Sequence, residues 1–268
     1  MLYINNEKLK KISLNYNNFA ILMDFDKTMT TINSVDSWTV LQNPSIVNPK
    51  LNIESNKLAN IYCPIEMDYN LPYDLKNMHM YDWYSKVLDL YYKYGLTYDK
   101  LVSCVNCGNI ILRNGLKDLL VRFYKYNIPV FVISAGIGNV IEQVLKLHDC
   151  FYDNISIMSN FFTFENDILL PFNNPIIHTC NKTIDLFEDN LKQKVLNKDY
   201  ILLFGDFIED LHMIPSKELN RTLSFGFLEK NVEANFDLYR NSFDVVLTNN
   251  SSFNDVNTLI DDLIKNKA

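Results

Sequence analysis

Short apolar runs recur along the chain, and four of them end in a turn residue or an acid. Continuous apolar runs of this kind are typical of parallel strands that are buried on both faces of a sheet. The four predicted strands are 19–25, 128–134, 200–204 and 244–248. The run 222–228 is a weaker fifth candidate.

Helical periodicity occupies most of the chain between these strands. Within 115–126, apolar residues at 116, 119, 120 and 123 have the spacing of an amphipathic helix. The stretches 139–147, 182–196 and 253–264 have similar patterns. Strands that alternate with helices predict an α/β fold with a doubly wound, Rossmann-like, mostly parallel sheet.

The segment from about residue 30 to residue 112 interrupts this alternation. It contains no convincing strand, but it has helix-like stretches such as 80–94. We therefore predict an α/β core made of residues 1–30 and 108–268, with a helical cap inserted as residues 31–107. An insertion at this point lies beside the carboxyl ends of the strands, where α/β sheets bind ligands.

Composition narrows the possible partners and location. The 268 residues are 48% hydrophobic, which is ample for a core, and the net charge of −7 argues against a nucleic-acid partner. A pocket for a single nucleotide can still be cationic on an acidic protein. No run approaches the roughly 20 apolar residues of a membrane helix, and the first 18 residues lack the apolar run of a signal peptide. We expect a cytoplasmic protein, a monomer or weak dimer, without a membrane partner.

The five cysteines are an odd and scattered set, which indicates reduced thiols. Cys104 and Cys107 form a CxxC pair, but no second pair or histidine pair follows at the spacing of a structural zinc site. Free thiols are the favoured interpretation, and zinc or redox chemistry is the alternative.

The first predicted strand ends in Asp24-Phe25-Asp26-Lys27-Thr28. Because side chains alternate along an extended chain, the two aspartates lie on the same side. Like charges this close favour a protonated carboxyl unless a cation holds both. The pair suits chemistry in which one carboxylate attacks and its neighbour moves a proton. A polar strand end in which Asp26 or Thr28 caps a helix is the alternative.

The second predicted strand ends in Ser134-Ala135-Gly136. A hydroxyl and free backbone N–H groups ahead of a helix make an anion site, although Ser134 could equally be an ordinary N-cap. Lys182, which opens the next helical stretch, could neutralise a phosphate and the charge that develops during its transfer. Most lysines are simply solvated, so Lys182 alone indicates little.

The third predicted strand ends in Gly205-Asp206, and Asp210 follows four residues later. Both carboxylates could face one magnesium ion, which prefers oxygen ligands, or both could interact with a helix dipole. Glycine is scarce, yet Gly136 and Gly138 follow the second strand and Gly205 follows the third. At such positions the backbone must turn sharply or approach a ligand closely.

Taken together, these motifs stand in order at successive strand ends along one edge of one sheet. This is the pattern of the haloacid dehalogenase superfamily, which the chain resembles. More narrowly, the chain resembles the cytosolic pyrimidine 5′-nucleotidases, also called type III 5′-nucleotidases. The stretches that carry the resemblance are LMDFDKTMT at 22–30, IPVFVISAGIGNVIEQVL at 128–145, ISIMSNFFTF at 155–164, LFGDFIEDLHM at 203–213, and, in the insertion, IEMD at 65–68 and YDWYSK at 81–86.

The resemblance implies a magnesium-dependent hydrolase in which Asp24 is the nucleophile and Asp26 the general acid and base. The phosphate-binding residues that it implies are Ser134, Ala135 and Lys182. The metal ligands that it implies are Asp24, the main-chain carbonyl of Asp26, and Asp206, with Asp210 in support.

The resemblance also implies that Glu66 reads the edge of a nucleobase and that Trp38 lies against its face. A carboxylate can accept a hydrogen bond from an exocyclic amine, and an aromatic ring can stack on a base. A solvated surface acid and a core tryptophan are the respective alternatives. Two positions depart from the family pattern: Phe207 replaces a small hydroxyl residue, and Asn139 replaces an acid.

We therefore expect a magnesium-dependent hydrolase of nucleoside 5′-monophosphates, pyrimidine nucleotides among them, that works through an aspartyl-phosphate. A phosphatase for another small phosphomonoester, such as a sugar phosphate or phosphoserine, is the first alternative. A non-catalytic nucleotide-binding module is the second.

Overall fold

The computed structural model describes residues 2–265. The strands within this range are Leu2–Ile4 (β1), Phe19–Met23 (β2), Val130–Ile137 (β3), Ile155–Asn160 (β4), Phe164–Glu165 (β5), Ile168–Leu169 (β6), Tyr200–Gly205 (β7), Thr222–Leu228 (β8) and Val245–Thr248 (β9). The helices are Asn6–Leu9 (α1), Pro49–Glu66 (α2), Tyr73–Lys93 (α3), Tyr98–Cys107 (α4), Leu116–Lys125 (α5), Gly138–Leu147 (α6), Asp189–Leu196 (α7), Val232–Ser242 (α8) and Phe253–Lys265 (α9). A tight turn with non-helical backbone at Asp26 and Lys27 spans Phe25–Met29. Short helical turns span Thr39–Gln42, Ile184–Leu186, Ile208–Met213 and Ser216–Arg221.

In the described part of the chain, seven strands form one sheet in the order β1-β9-β8-β7-β2-β3-β4. All neighbouring strands in it are parallel except β1, which runs antiparallel to β9 at one edge. Strands β5 and β6 form a separate antiparallel hairpin. The predicted α/β fold with a doubly wound, mostly parallel sheet is confirmed.

Strand β2 lies inside the sheet, between β7 and β3, and its side chains alternate between the two faces. Phe19, Ile21 and Met23 are buried on one face, together with residues of α5, α6 and α9. Ala20 and Leu22 are buried on the other face, together with residues of α7 and α8. Helices therefore cover both faces of the sheet, which explains why the strand reads as a continuous apolar run.

The helices α2, α3 and α4 lie between β2 and β3, as an inserted helical segment requires. The chain leaves the core and returns to it at adjacent points, because Thr30 and Leu112 form an antiparallel bridge. Residues 29–31 and 111–113, which we call the stem, are joined by main-chain hydrogen bonds of 2.8 and 2.9 Å. The boundaries of the cap at residues 31 and 107 remain a prediction.

Two predicted elements differ from the structure. The predicted helix 182–196 is divided into the turn Ile184–Leu186 and the helix α7, since Phe187 is extended and packs edge-on against Phe131. Strand β3 continues to Ile137, so Gly136 lies inside the strand and does not follow it. The run 222–228 is confirmed as β8, whereas the short strands β1 and β4–β6 and the helices α1 and α8 were not predicted.

Within residues 2–265, none of the helices combines the length and the apolar character that crossing a lipid bilayer requires. All five cysteines carry free thiols, as predicted. Cys104 is buried in the core whereas Cys107 is exposed, so the CxxC pair does not present two thiols to a common site.

Candidate active site

The neighbouring strands β7, β2 and β3 end side by side and bring three of the predicted motifs together. Asp24 directly follows β2 in extended conformation, and its main-chain N–H donates to the Phe204 carbonyl of β7 at 3.0 Å. Asp206 directly follows β7, and Ser134 lies in β3, three residues before its end. All three residues line one cavity, because parallel strands place their carboxyl ends at one edge of the sheet.

Lys182 joins two of these carboxylates. Its Nζ atom lies 2.7 Å from Asp24 Oδ1 and 2.7 Å from Asp210 Oδ1, and all three residues are buried. Burial raises the pKa of Asp24 to about 6, Lys182 opposes this rise, and Asp210 adds to it. Burial lowers the pKa of Lys182, but the two carboxylates outweigh it and hold that pKa well above its usual value. Lys182 is therefore a fixed cation.

Asp210 orients its neighbours through both of its oxygens. While Oδ1 accepts from Lys182, Oδ2 accepts main-chain N–H groups of Asp206 and Phe207, each at 3.0 Å. The departure at Phe207 thus leaves Asp210 held by main-chain donors. Asn139, the other departure, exchanges hydrogen bonds with the main chain of Phe162 at 2.7 and 3.2 Å, which ties the start of α6 to the segment after β4.

Carboxylate oxygens of Asp24, Asp206 and Asp210 lie within 4.8 Å of one another. Burial raises the pKa of Asp206 well above its usual value, and the neighbouring charges of Asp24 and Asp210 add to the rise. Uncompensated negative charges this close repel one another, and a cation relieves the repulsion. An all-oxygen donor set suits a hard cation such as Mg²⁺, so the predicted ligands fit that ion. The side chain of Asp26 does not belong to this cluster.

Asp26 is held by a residue that the sequence did not suggest. Its Oδ1 accepts the Ser37 main-chain N–H at 2.9 Å, and its Oδ2 accepts the Ser37 hydroxyl at 2.5 Å. Burial raises the pKa of Asp26 to about 7, the charge of Asp36 adds to the rise, and the Ser37 hydrogen bonds oppose it. Asp26 is therefore fixed in orientation and titrates near neutrality, as a group that gives and takes a proton must.

Arg113 is a second residue that the sequence did not indicate. It is 2% exposed, and its guanidinium donates to the carbonyls of Lys27 at 2.5 Å and Thr28 at 2.9 Å. It also pairs at 3.0 Å with Glu229, whose side chain is 5% exposed. Lys27 has a left-handed backbone with φ of 64°, which is uncommon for a residue with a side chain. Arg113 therefore stabilises a strained turn directly after the two aspartates.

The predicted phosphate-binding residues of β3 are close to this group. Ser134 is buried, and its hydroxyl accepts the Gly136 N–H at 3.1 Å. The Ala135 carbonyl accepts the indole N–H of Trp38 at 3.1 Å and the side-chain amide of Asn160 at 2.9 Å. The C-terminal part of β3 is therefore held both by Asn160 of β4 and by Trp38 of the insertion.

A cavity of about 430 Å³ opens between this strand edge and the inserted helices. Asp24, Asp26 and Lys182 line one part of it, and Trp38 and Glu66 line another. The structure therefore places the predicted phosphate and base residues in one cavity, while their roles remain predictions. Further lining residues that the sequence gave no role are Tyr69, Trp83, Tyr84 and Thr179.

Trp38 and Glu66 are both held by other side chains of the cavity region. The Trp38 ring packs edge-on against Tyr84, with centroids 5.2 Å apart. Glu66 accepts a hydrogen bond from the hydroxyl of Thr179. Trp83 and Tyr84 contact each other, and Tyr84 contacts Trp38; we call these three residues the aromatic wall of the cavity. Trp83 and Tyr84 belong to the YDWYSK stretch at 81–86, which is part of the family resemblance, but the sequence alone assigned them no role.

Comparison with known proteins identifies the family. A family model described as Pyrimidine 5′-nucleotidase (UMPH-1) matches residues 4–264. A 7-methylguanosine phosphate-specific 5′-nucleotidase of Mus musculus is 32% identical over 250 residues, covering 90% of this chain and 83% of the relative. The Homo sapiens protein of the same name is 31% identical over 254 residues, covering 91% and 84%.

Solved structures agree with the sequence comparisons. Cytosolic 5′-nucleotidase IIIB bound to cytidine superposes with a TM-score of 0.84 at 26% identity, covering 99% of this chain and 94% of that one. A substrate-bound phosphoserine phosphatase, at 13% identity and a TM-score of 0.59, covers 90% and 97% and shares the fold. Because the family model spans nearly the whole described chain, the chain belongs to the pyrimidine 5′-nucleotidase family and is a phosphoric monoester hydrolase.

Proposed function

We propose that the protein hydrolyses nucleoside 5′-monophosphates to nucleoside and phosphate, with Mg²⁺ and through an aspartyl-phosphate on Asp24. The observation that carries the proposal is the shared cavity, in which paired aspartates and a buried lysine lie at one end and an aromatic wall with a carboxylate at the other. A phosphate and a nucleobase on one ribose need this division of chemistry within a single site.

In the first step, a carboxylate oxygen of Asp24 attacks phosphorus as the bond to the 5′-oxygen breaks. Asp26 gives its proton to the departing 5′-oxygen, so the nucleoside leaves neutral. Lys182 already lies 2.7 Å from the attacking carboxylate, and its fixed charge stabilises the oxygens of the transferring phosphoryl group. The hydroxyl of Ser134 completes the phosphate site in this proposal.

In the second step, water hydrolyses the aspartyl-phosphate. Asp26, now ionised, takes a proton from the water, whose oxygen bonds to phosphorus while the bond from phosphorus to Asp24 breaks. Phosphate leaves, and Asp26 is protonated again for the next cycle. The pKa of Asp26 near 7 suits both proton transfers.

Asp24, the main-chain carbonyl of Asp26, and Asp206 would hold the Mg²⁺ ion, and Asp210 would orient them. When bound, the ion neutralises negative charge on the phosphate oxygens and lets an anionic substrate approach the carboxylates. Both oxygens of Asp210 already accept protein hydrogen bonds, which supports a positioning role for it.

The base would lie among Trp38, Tyr84 and Glu66. The mouse and human relatives are named for 7-methylguanosine phosphate, and a solved relative is bound to cytidine. Two such different bases share an amino group on the edge that pairs with other bases, which a carboxylate can recognise. A cytosolic location is part of the proposal, because relatives are named cytosolic 5′-nucleotidases.

The decisive experiment is phosphate release, with Mg²⁺ present, from CMP, UMP, 7-methyl-GMP, AMP, ribose 5-phosphate and phosphoserine. The proposal expects a nucleotide to have the highest kcat/KM of the panel. Equal rates on ribose 5-phosphate or phosphoserine would leave the chemistry in place and remove the role of Glu66 and Trp38 in base recognition.

The metal is tested separately. Chelation by EDTA should abolish phosphate release, and excess Mg²⁺ should restore it. Replacing Asp206 by Asn should raise the Mg²⁺ concentration required for half-maximal activity at least about tenfold, because it removes a charged ligand. Full activity of the wild-type protein in EDTA would contradict the proposed metal dependence.

A further inference from the structure

Glu66 has a partner outside its own helix. It is the last residue of α2, and its Oε1 accepts a hydrogen bond from the hydroxyl of Thr179. Thr179 is 5% exposed and belongs to the core segment that leads to Lys182. A single hydroxyl thus joins the base end of the cavity to the segment that carries the phosphate-binding lysine.

A third residue extends this hydrogen bond into a chain. The hydroxyl of Tyr84 lies 3.3 Å from Thr179 Oγ1. A threonine hydroxyl has one proton, and an ionised carboxylate can only accept. Because Thr179 gives its proton to Glu66, the bond between Tyr84 and Thr179 must use the proton of Tyr84. The three groups form a chain with one polarity, which runs from Tyr84 through Thr179 to Glu66.

The surroundings act differently on the two ends of this chain. Burial raises the pKa of Tyr84 well above its usual value, so Tyr84 keeps its proton. Burial also raises the pKa of Glu66 and the charge of Glu209 adds to the rise, whereas the hydrogen bond from Thr179 and the charges of Lys182 and Lys76 oppose it. Without the Thr179 hydroxyl, the carboxyl group would be freer to rotate and more readily protonated. A protonated Glu66 would be a donor as well as an acceptor.

We propose that Thr179 is the positioning residue for base selection: it fixes Glu66 as a hydrogen-bond acceptor, so that the site prefers bases with an amino group over bases with an oxo group at the same edge. Cytosine and 7-methylguanine present such an amino group, whereas uracil presents an oxo group at the position of the cytosine amine. The inference rests on the proposed function, since it assumes that a base enters the cavity beside Glu66.

The same region offers a matched control. Tyr73 of α3 donates its hydroxyl to the carbonyl of Cys180, the residue after Thr179. This bond also ties the insertion to the segment of Lys182, but it does not involve Glu66. If Thr179 only anchored that segment, then Thr179→Val and Tyr73→Phe would have the same consequences. If Thr179 orients Glu66, only Thr179→Val changes the preference between bases.

The experiment compares the wild-type protein with Thr179→Val, Thr179→Ser and Tyr73→Phe, each with Mg²⁺ and with CMP or UMP as substrate. Thr179→Val keeps the shape of the side chain and removes its hydroxyl, and Thr179→Ser keeps the hydroxyl. We expect Thr179→Val to raise the KM for CMP about tenfold more than the KM for UMP, as loss of a hydrogen bond to a charged group implies. The kcat ratio for the two substrates should stay near its wild-type value. Thr179→Ser should restore the wild-type preference, and Tyr73→Phe should retain it.

The inference would be overturned if Thr179→Val raised the KM for CMP and for UMP by the same factor, or if Tyr73→Phe changed the preference between them as much as Thr179→Val does. Either result would mean that Thr179 only anchors the segment of Lys182. An unchanged preference between CMP and UMP in Thr179→Val would also overturn the inference. Binding of cytidine and uridine to the same four proteins, measured by calorimetry, separates this outcome from failure of the proposed function. Preference for cytidine that depends on Thr179, in a protein that releases no phosphate, would retain the inference and reject the hydrolysis.

Discussion

Asp24 is the residue on which the proposed chemistry depends, and its surroundings hold it in place from two directions. Its main chain is bonded to β7, and its side chain is bonded to Lys182. Asp24 is 3% exposed, so little of its surface contacts bulk water before substrate binds. A preorganised nucleophile loses little freedom on reaching the transition state.

Replacing Asp24 by Asn should reduce kcat at least about a thousandfold, because an amide of the same size cannot attack phosphorus. The thermal unfolding midpoint should stay close to that of the wild type, which shows that the fold is retained. Asp118→Asn, which removes an exposed carboxylate on α5, should be fully active. Substantial turnover by the Asp24→Asn protein would reject the aspartyl-phosphate mechanism.

Gly136 leaves no room for a side chain beside the second aspartate. A Cβ atom added there would lie 2.1 Å from Ser37 Oγ and 3.0 Å from Asp26 Oδ2. Gly136→Ala should therefore displace the general acid and lower kcat about ten- to a hundredfold. At Gly95 an added Cβ meets nothing within 4 Å, but φ is +63°. Gly95→Ala should thus cost about 1 kcal/mol of unfolding free energy while kcat is retained.

At this scale the sequence predicted the residues of the motifs and missed their supports. Asp24 and Asp26 follow β2 and Asp206 follows β7, so their convergence follows from the topology of a parallel sheet. Lys182 lies in the segment between β6 and α7, and strand order alone does not place it beside them. Ser37 and Arg113 lie in irregular segments, and nothing in a single sequence shows which carboxylate or carbonyl they will meet.

Helix α3 connects the insertion to the core through a buried ion pair. Lys76 Nζ lies 2.8 Å from Glu209 Oε1, with side chains 4% and 11% exposed. Glu209 directly precedes Asp210, the residue that orients Lys182 and the main chain after β7. Through this ion pair, α3 helps to fix the position of the proposed metal ligands, although it carries none of them.

Lys76→Met should lower the free energy of unfolding by about 3–5 kcal/mol, because the carboxylate of Glu209 is left buried without its cation. Urea unfolding monitored by circular dichroism would measure this loss. Lys86→Met, which breaks an exposed pair within the same helix, is the matched control and should have a much smaller effect. The double variant Lys76→Met/Glu209→Gln should recover part of the lost stability, and failure to recover would mean that the pair is not the cause.

Prediction at the element scale succeeded where apolar periodicity was strong. The stretch 80–94 indicated part of α3, whose first two turns are too polar to register as an apolar face. The run 182–196 had helical spacing, yet the burial of Phe187 against Phe131 takes its backbone out of the helix. A contact between residues so distant in the chain cannot be read from local periodicity.

On the scale of the whole molecule, a buried histidine makes stability depend on pH. His178 is 2% exposed, and its Nδ1 accepts the Cys180 N–H at 3.3 Å, which requires a neutral ring. Burial lowers the pKa of His178 from 6.5 to about 4. At a pH between 6.5 and about 4, His178 is protonated in the unfolded chain but not in the folded protein. The folded state therefore loses stability as pH falls through this range.

The free energy of unfolding should therefore decrease by up to about 3 kcal/mol from this group alone as pH falls from 6.5 to 4. His178→Gln can still accept the Cys180 N–H but does not titrate, so its stability should fall less steeply over the same range. Urea unfolding at a series of pH values measures the difference between the two proteins. His212→Gln, at an exposed position, should follow the wild-type curve, and a His178→Gln curve parallel to the wild type would refute the assignment.

The stem makes few demands on the residues between its two strands. Two stretches of three residues, 29–31 and 111–113, lie side by side and join the insertion to the core. The groups proposed to carry the reaction lie on the sheet side of this junction, and much of the aromatic wall lies beyond it. During evolution, a lineage that retained the strand ends together with Ser37 and Lys76, and exchanged the rest of the intervening segment, would keep its chemistry and acquire a different substrate.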